Sequence, residues 1–497
     1  MLRTRLLAHP RRETPASATC ASHALLLRAC LFRAGTASGL YEALPLGWRV
    51  LDRLTRLVAR EMDHELLAQR CDMPVLMAPD LWQRTGRYEA AREEMLRLTD
   101  RRGSPLLLAP THEEAFTDAV GAVVGGGGVP RRVLPVLAYQ IGRKFRDEAR
   151  PRGGLLRGRE FLMKDMYSYH ASEACAARTY AAVCDAYDRI LRRAAPPGAR
   201  IARVLADSGS MGGAVSHEFH VVSAAGEDTL LACDAGDFAA NVEAATLPAR
   251  AAPLPADETE LQDGWILVPR GRRASRVRLD KAGHTRASVS GGVLDASAAG
   301  FVEARHGDAC TAPGCSCKGA GRLRESRGIE VGHSFRLGTR YTEALGLRPA
   351  PGAPGQKPQE PLEMSCFGLG ITRIVAAVVE ADGGRDEHGI VWSDALAPFR
   401  AVVVPAPRVS PDQAAPAFRA FAERLGVDGA LLDDRFDGAT TFSAKLQEAR
   451  LLGVSNVVVV RGDGAFEVMP RVCGVTDNAV RVGTLAEALE AVGSGVA

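Results

Sequence analysis

The chain has no run of about 18 apolar residues, so the sequence predicts no membrane-spanning helix and no membrane partner. It also lacks the cysteine density of a disulfide-stapled fold. Its 11 cysteines are spread over 497 residues and mostly isolated, which suits a reducing compartment. A general charge surplus is missing too: the formal net charge is only +3. What remains is ordinary for a globular protein, 46% apolar and 24% charged, and long enough for about two to four domains.

The positive charge is instead local. Arg143 to Glu160, RKFRDEARPRGGLLRGRE, holds seven Lys/Arg and three acids, a net +4 against +3 for the whole protein. Local charge of this kind points to an anion held at one place. An apolar run, Val133 to Ile141, enters the segment. Gly153-Gly154 interrupts it, and a second apolar run, Phe161 to Met166, leaves it. The pattern predicts strand, long loop, strand, with arginines on both arms. Arginine suits phosphate because its planar fork binds oxygens in pairs and keeps its charge.

Elsewhere, residues 47–62 space Val50, Leu51, Leu54, Leu57, Val58 and Met62 as one buried helical face. Pro74 to Pro79 and Leu106 to Pro110 read as short extended segments. Thr111-His-Glu-Glu predicts a helix start, with Thr111 as N-cap and Glu114 completing a capping box. From about Leu247 to Gly328 the composition turns Ala-, Gly-, Arg- and Pro-rich with poor periodicity, which reads as a reduced insertion or long linker. Strand candidates return at Gly328–Leu337 and Leu362–Phe367, the latter followed by Gly-Leu-Gly and a helix. The last hundred residues alternate strand and helix as a small α/β domain. Residues 1–12 are arginine-rich and acid-free, in the style of a mitochondrial presequence or of a basic arm that stays on the protein.

Read together and in order, the arginine arm (FRDE, a loop, RGREF), GLGITR at 368–373, and the 47–62 helix followed by Met73-Pro74 resemble motifs 2, 3 and 1 of the class II aminoacyl-tRNA synthetases. SGLYEALPLG (38–47), LWQRTGRY (81–88), APTHEE (109–114), REFLMKDMYSYH (159–170), DSGSMGG (207–213), SHEF (216–219), GIEVGHSFRLGTRYTEAL (328–345) and GIVWSDALAPF (389–399) resemble bacterial-type prolyl-tRNA synthetases. LLRGREF followed by MKDMY is most similar to the mitochondrial branch. The resemblance spans nearly the whole chain apart from residues 1–10 and about 247–325.

That resemblance implies an α+β fold: an antiparallel sheet flanked by helices, plus a C-terminal α/β anticodon-binding domain. The expected order is a basic segment at 1–20, a catalytic core at 21–246 and 328–395, an insertion at 247–327, and the anticodon-binding domain at 398–497. The implied activity is ligation of L-proline to tRNA-Pro with ATP as substrate and Mg²⁺ as cofactor, by a homodimer in the mitochondrial matrix or a bacterial-type cytoplasm. A threonine, serine or glycine synthetase and a non-catalytic tRNA-binding paralogue are the alternatives.

The resemblance also assigns residues. Arg146 and Arg373 are the catalytic pair. Arg146 takes the α-phosphate, Glu148 the adenine amino group from the same strand face, Arg157 and Arg373 the outer phosphates, and Phe161 stacks on adenine. Thr111 and Glu113 receive the proline ammonium, Arg143 its carboxylate, and His333 and Cys366 line the ring. Glu218 is a metal or substrate contact. Arg150 and Arg152 face the tRNA acceptor end. Related sequences carry a Cys-x-x-Cys pair near Cys310, Cys315 and Cys317 and another near Cys233. Here the spacing is C-x4-C-x-C, and Gly236 stands where a partner of Cys233 belongs, so a decayed zinc ribbon is expected. Other departures are Ser365, Ser393, Arg70 and Thr441, none of them at a catalytic position. The short insertion predicts loss of the editing domain that hydrolyses alanyl-tRNA in full-length bacterial relatives.

Overall fold

The computed structural model describes residues 1–11, 13–124, 128–248, 265–270, 273–279, 285–286, 294–295, 301–312, 315–351, 359–426, 429–474 and 479–493. Of the 247–327 insertion, 37 of 81 residues lie outside the described residues, and with them the expectation about editing.

The predicted strand–loop–strand is the centre of the molecule. The strands run Val136–Phe145 and Glu160–His170 and pair antiparallel along their length, from Val136 opposite Tyr169 to Phe145 opposite Glu160. They belong to a nine-stranded sheet whose strands, in chain order, are β1 (Gln69–Arg70), β2 (Val136–Phe145), β3 (Glu160–His170), β4 (Ile201–Leu205), β5 (Val215–Val222), β6 (Asp228–Cys233), β7 (Ala239–Asn241), β8 (Leu323–Gly338) and β9 (Glu363–Gly370). The spatial order is β5-β4-β7-β6-β8-β9-β3-β2-β1, and β5 also pairs with β8. Long β8 pairs with β9 along one edge and serves two partners on the other: Leu323–Gly328 pairs with β6, and Gly328–Arg336 pairs with β5.

Helices pack on both faces: those at 21–28, 45–60, 173–194 and 371–380 share a core with Met166 and Phe367, and the one at 113–124 packs Phe116 against Tyr167 on the other side. The helices used below are α1 (Ala21–Arg28), α2 (Pro45–Arg60), α3 (Glu113–Val124), α4 (Glu173–Ala194) and α5 (Ile371–Glu380). On α2 the periodic apolar residues Val50, Leu51, Leu54, Leu57 and Val58 are all buried, as their spacing requires. On α5, Ile371, Ile374, Val375, Val378 and Val379 are buried in the same core. Ser172 caps α4 by accepting a hydrogen bond from the Cys175 amide. No helix among the described residues is long and apolar enough to cross a membrane.

The C-terminal region forms its own five-stranded sheet. Its strands are β10 (Ala401–Pro405), β11 (Ala430–Leu432), β12 (Asn456–Val460), β13 (Phe466–Pro470) and β14 (Val480–Val482), in the order β11-β10-β12-β13-β14. The near-continuous valines of β10 and β12 are buried, as parallel central strands demand. The N-terminus docks on this sheet. Leu2 bridges Leu432, the Met1 amine donates to Ala430 O (3.1 Å), Arg3 pairs with Glu448 (3.2 Å), and Arg3, Leu6 and Ala8 are buried.

Candidate active site

Period-two alternation builds the floor of a cleft. On β3, Phe161, Met163, Asp165 and Tyr167 point to one face, and on β9 Cys366 and Gly368 join them. Arg146, Thr111, Glu113, Glu330, His333 and Arg373 line the same cavity of ≈ 270 Å³. The cavity therefore gathers Arg146, Glu148, Arg157, Phe161, Arg373, Thr111, Glu113, His333 and Cys366, nine of the residues singled out in the sequence.

One end is cationic. The Arg146 guanidinium lies over the Phe161 ring (5.3 Å), and its buried Nε has no hydrogen-bond partner among the described residues. Burial, and then the neighbouring Arg373, push its proton affinity down. Two guanidiniums repelling each other in a cleft make a site that an anion would relax. Arg373 is fixed from α5: its Nε donates to Leu156 O (2.8 Å) and its Nη1 to Glu330 O (3.0 Å). Arg157 Nε donates to Glu148 Oε2 (2.7 Å). Burial opposes the Glu148 charge, but Arg157 outweighs it and holds that carboxyl below its usual range.

The other end is a small polar-lipped pocket. Thr111 Oγ1 donates to Glu113 Oε1 (2.9 Å), and Arg87 Nη1 donates to Glu113 Oε2 (3.1 Å). The buried Arg87 also bonds Glu114 and lies 4.5 Å over the Trp82 ring. Burial raises the Glu114 carboxyl, with Arg87 opposing. Tyr167 Oη donates to Asp165 Oδ2 (2.8 Å) and accepts from the His112 amide (3.0 Å). Beneath them Lys144 pairs with Asp165 at 2.7 Å, and Gln140 donates to the same carboxylate. The His333 ring stacks on Phe335 with centroids 3.9 Å apart. Burial, and then Glu113, push the Cys366 thiol well up, so it serves as an apolar wall.

Three expectations need correction. Arg143 does not enter the cleft. It sits on the opposite face of β2 from Lys144, is exposed, and pairs with Glu160 at 2.7 Å, because one residue of shift along a strand reverses the side chain. Strand β2 ends at Phe145, so Arg146 and Glu148 reach the cleft from the following loop rather than from one strand face. Helix α3 starts at Glu113, so Thr111 is no N-cap; its hydroxyl is spent on Glu113. The sulfurs of Cys233, Cys310, Cys315 and Cys317 lie within 4.8 Å of one another. Glu218 on β5 is outside the cleft lining. It accepts from His220 (2.8 Å) and Asn241 (3.0 Å), yet its ligand atoms cluster with those of Glu330 and His333.

Arg87, Asp165, Tyr167 and Glu330 had been given no role. Counting in twos from Phe161 would have found Asp165 and Tyr167. Arg87 and Glu330 lay inside segments already quoted for the family.

The comparisons agree with this geometry. Residues 96–382 match the family model "tRNA synthetase class II core domain (G, H, P, S and T)". A proline–tRNA ligase of Acidithiobacillus ferrooxidans is 37% identical over 85% of this chain and 87% of its own length. The proline–tRNA ligase of Geobacillus kaustophilus is 34% identical over 94% of this chain and 95% of its own. Among solved structures, a Cryptosporidium parvum prolyl-tRNA synthetase complexed with halofuginone and AMPPNP superposes with a TM-score of 0.63 at 13% identity, covering 94% of this chain and 73% of that one. A second, complexed with L-proline and AMP, gives 0.61 at 12% identity, with 94% and 75% covered. At those identities the structural match speaks for the fold alone, whereas the bacterial sequences cover the chain nearly end to end: it belongs to the proline–tRNA ligases, within the class II aminoacyl-tRNA synthetases.

Proposed function

We infer that this chain activates L-proline with ATP to prolyl-adenylate and charges tRNA-Pro with it. The observation that carries the reading is one cleft that joins two mutually repelling arginines, Arg146 and Arg373, to the Thr111–Glu113 pocket. A carboxylate oxygen of proline attacks the α-phosphorus, the bond to the β-phosphate breaks, and pyrophosphate leaves. The terminal ribose hydroxyl of the tRNA then attacks the acyl carbon and AMP leaves. No protein nucleophile is needed, so the side chains align reactants and stabilise charge.

In this reading Arg146 holds the α-phosphate and the adjoining proline carboxylate, which Arg143 cannot reach. Arg373 and Arg157 hold the departing phosphates, Phe161 stacks on adenine and Glu148 accepts from its amino group. Thr111 and Glu113 receive the ring ammonium, with Arg87 fixing the Glu113 carboxylate. His333 and Cys366 bound the ring. Mg²⁺ fits the donors present: Glu330 and Glu218 offer carboxylate oxygens within 4.8 Å of each other, the ligand type Mg²⁺ takes. Those two would hold it, and when bound it neutralises phosphate charge.

The C-terminal sheet and its helices are proposed to bind the anticodon end of tRNA-Pro, and Arg150 and Arg152 to meet its acceptor end. A homodimer belongs to the same proposal, with Trp48, 57% exposed on α2, at the interface. For the compartment we propose the mitochondrial matrix, with bacterial-type cytoplasm as the alternative; sequencing the N-terminus of the protein isolated from cells decides whether residues 1–8 are kept. We also propose that the chain does not edit alanyl-tRNA, and hydrolysis of that ester by the purified protein would refute it. The central claim is tested by amino-acid-dependent pyrophosphate exchange. Proline should stimulate it, whereas stimulation by threonine, serine or glycine alone would move the assignment to a sister enzyme.

A further inference from the structure

Far along the sheet from the cleft, four cysteines from three parts of the chain meet. Cys233 ends β6 opposite Leu323 of β8. Cys310 follows the Ala309–Arg322 bridge, and its amide donates to Gly321 O (2.8 Å). Cys315 and Cys317 sit on a tight turn closed by Lys318 N to Cys315 O (3.1 Å) and Ala320 N to Cys317 O (2.9 Å). Lys318 and Gly319 on that turn both have left-handed backbone, with φ of 48° and 88°. All four cysteines are buried and free, and all four sulfurs lie within 4.8 Å of one another.

From these observations we propose that Cys233, Cys310, Cys315 and Cys317 form a structural zinc site. A tetrahedral Zn²⁺ with Zn–S bonds of about 2.3 Å sets its sulfurs about 3.8 Å apart, so the observed cluster needs only a small contraction to close on the ion. The space is also reserved. A Cβ on Gly236 would fall 2.5 Å from the Cys315 sulfur, and one on Gly321 would fall 2.2 Å from the Cys233 sulfur.

The first of those glycines explains the odd spacing. Gly236 occupies the place where a second cysteine would follow Cys233, and the Cys315 sulfur fills the volume that its side chain would take. The ligand has moved from one turn to the facing one, and the set is still four. The competing reading is packing, since buried cysteines also serve as small hydrophobes among Leu231, Ala240, Ala245 and Leu323. Packing accounts for burial but not for four sulfurs gathered within 4.8 Å of one another or for the emptied glycine positions. The zinc would tie the returning end of the insertion, residues 304–323, to the β6–β7 turn.

The test is metal analysis of the full-length protein, purified without chelator and again after denaturation and refolding with Zn²⁺ or Co²⁺. The expected result is about one zinc per chain, and with Co²⁺ the visible absorption of a tetrathiolate site. C310S and C317S should lose more than 90% of the metal while pyrophosphate exchange, tens of residues away in the cleft, is read in parallel. Should these variants fail to fold, a ligand transplant serves: C315A should lose zinc and C315A/G236C should regain it. Metal-free protein whose four thiols titrate with a thiol reagent in the native state, or a mass showing disulfides among them, would overturn the proposal.

Discussion

Lys144 and Asp165 form a buried ion pair directly beneath the cleft, 2.7 Å apart, on the adjacent strands β2 and β3. The pair holds the floor on which Tyr167 is oriented, because Tyr167 donates to the other oxygen of the same carboxylate. Two charges here cost desolvation energy, and removing one strands the other. Asp165→Ala should therefore destabilise the protein by about 3–5 kcal/mol, measured by urea unfolding. A loss below about 1 kcal/mol would show that water reaches Lys144.

Arg146 should behave in the opposite way. Its Nε has no partner among the described residues and its charge is disfavoured by burial and by Arg373. Arg146→Gln should leave stability unchanged or slightly raised. It should lower the rate of pyrophosphate exchange about 10²–10³-fold, with the effect in kcat.

Arg143 separates the family expectation from the geometry. Its side chain lies on the far face of β2 in an exposed pair with Glu160, an arrangement worth about 0–1 kcal/mol. Arg143→Ala should leave the KM for proline within about twofold, since 1.4 kcal/mol corresponds to tenfold. A tenfold rise would return the proline carboxylate to Arg143.

His217 gives a pH signature. Burial, and then Arg203, push its pKa down to about 4, and its Nδ1 lies 2.8 Å from Tyr180 Oη. Between about pH 6.5 and pH 4 the unfolded chain takes a proton that the folded one refuses, so stability falls as pH drops through that window. His217→Gln should flatten this part of the stability curve, by on the order of 3 kcal/mol at its lower end. Identical slopes for the two proteins would place the titration elsewhere.

The sheet strands and the two periodic helices were legible because one buried face imposes one period: Val50 to Val58 on α2, Ile371 to Val379 on α5, and the two arms around Gly153-Gly154. The C-terminal alternation of strand and helix was legible, but β14 was not, since Val480–Val482 is three residues long and mostly exposed. In the site, residue types were legible and directions were not. Arg143 and Lys144 look equivalent in sequence, yet the pleat sends one to water and the other to Asp165. Long-range partners were equally hidden: nothing local links Arg87 to Glu113, or Glu218 to Glu330, because their meeting depends on how elements far apart in the chain come together.

The docked N-terminus has a mechanical consequence. A domain joined to its neighbour through one linker can swing about it, as a door does on a hinge. Here the C-terminal sheet is fastened twice: by the chain running from Phe399 into β10, and by residues 1–8, which hold Leu432, Ala430, Asp434 and Glu448 before the chain continues to α1 in the core. Two fastenings at different points on one body remove rotation that either alone would permit. The far edge of that sheet and the cleft then keep close to one separation, as the jaws of a calliper locked at one setting do.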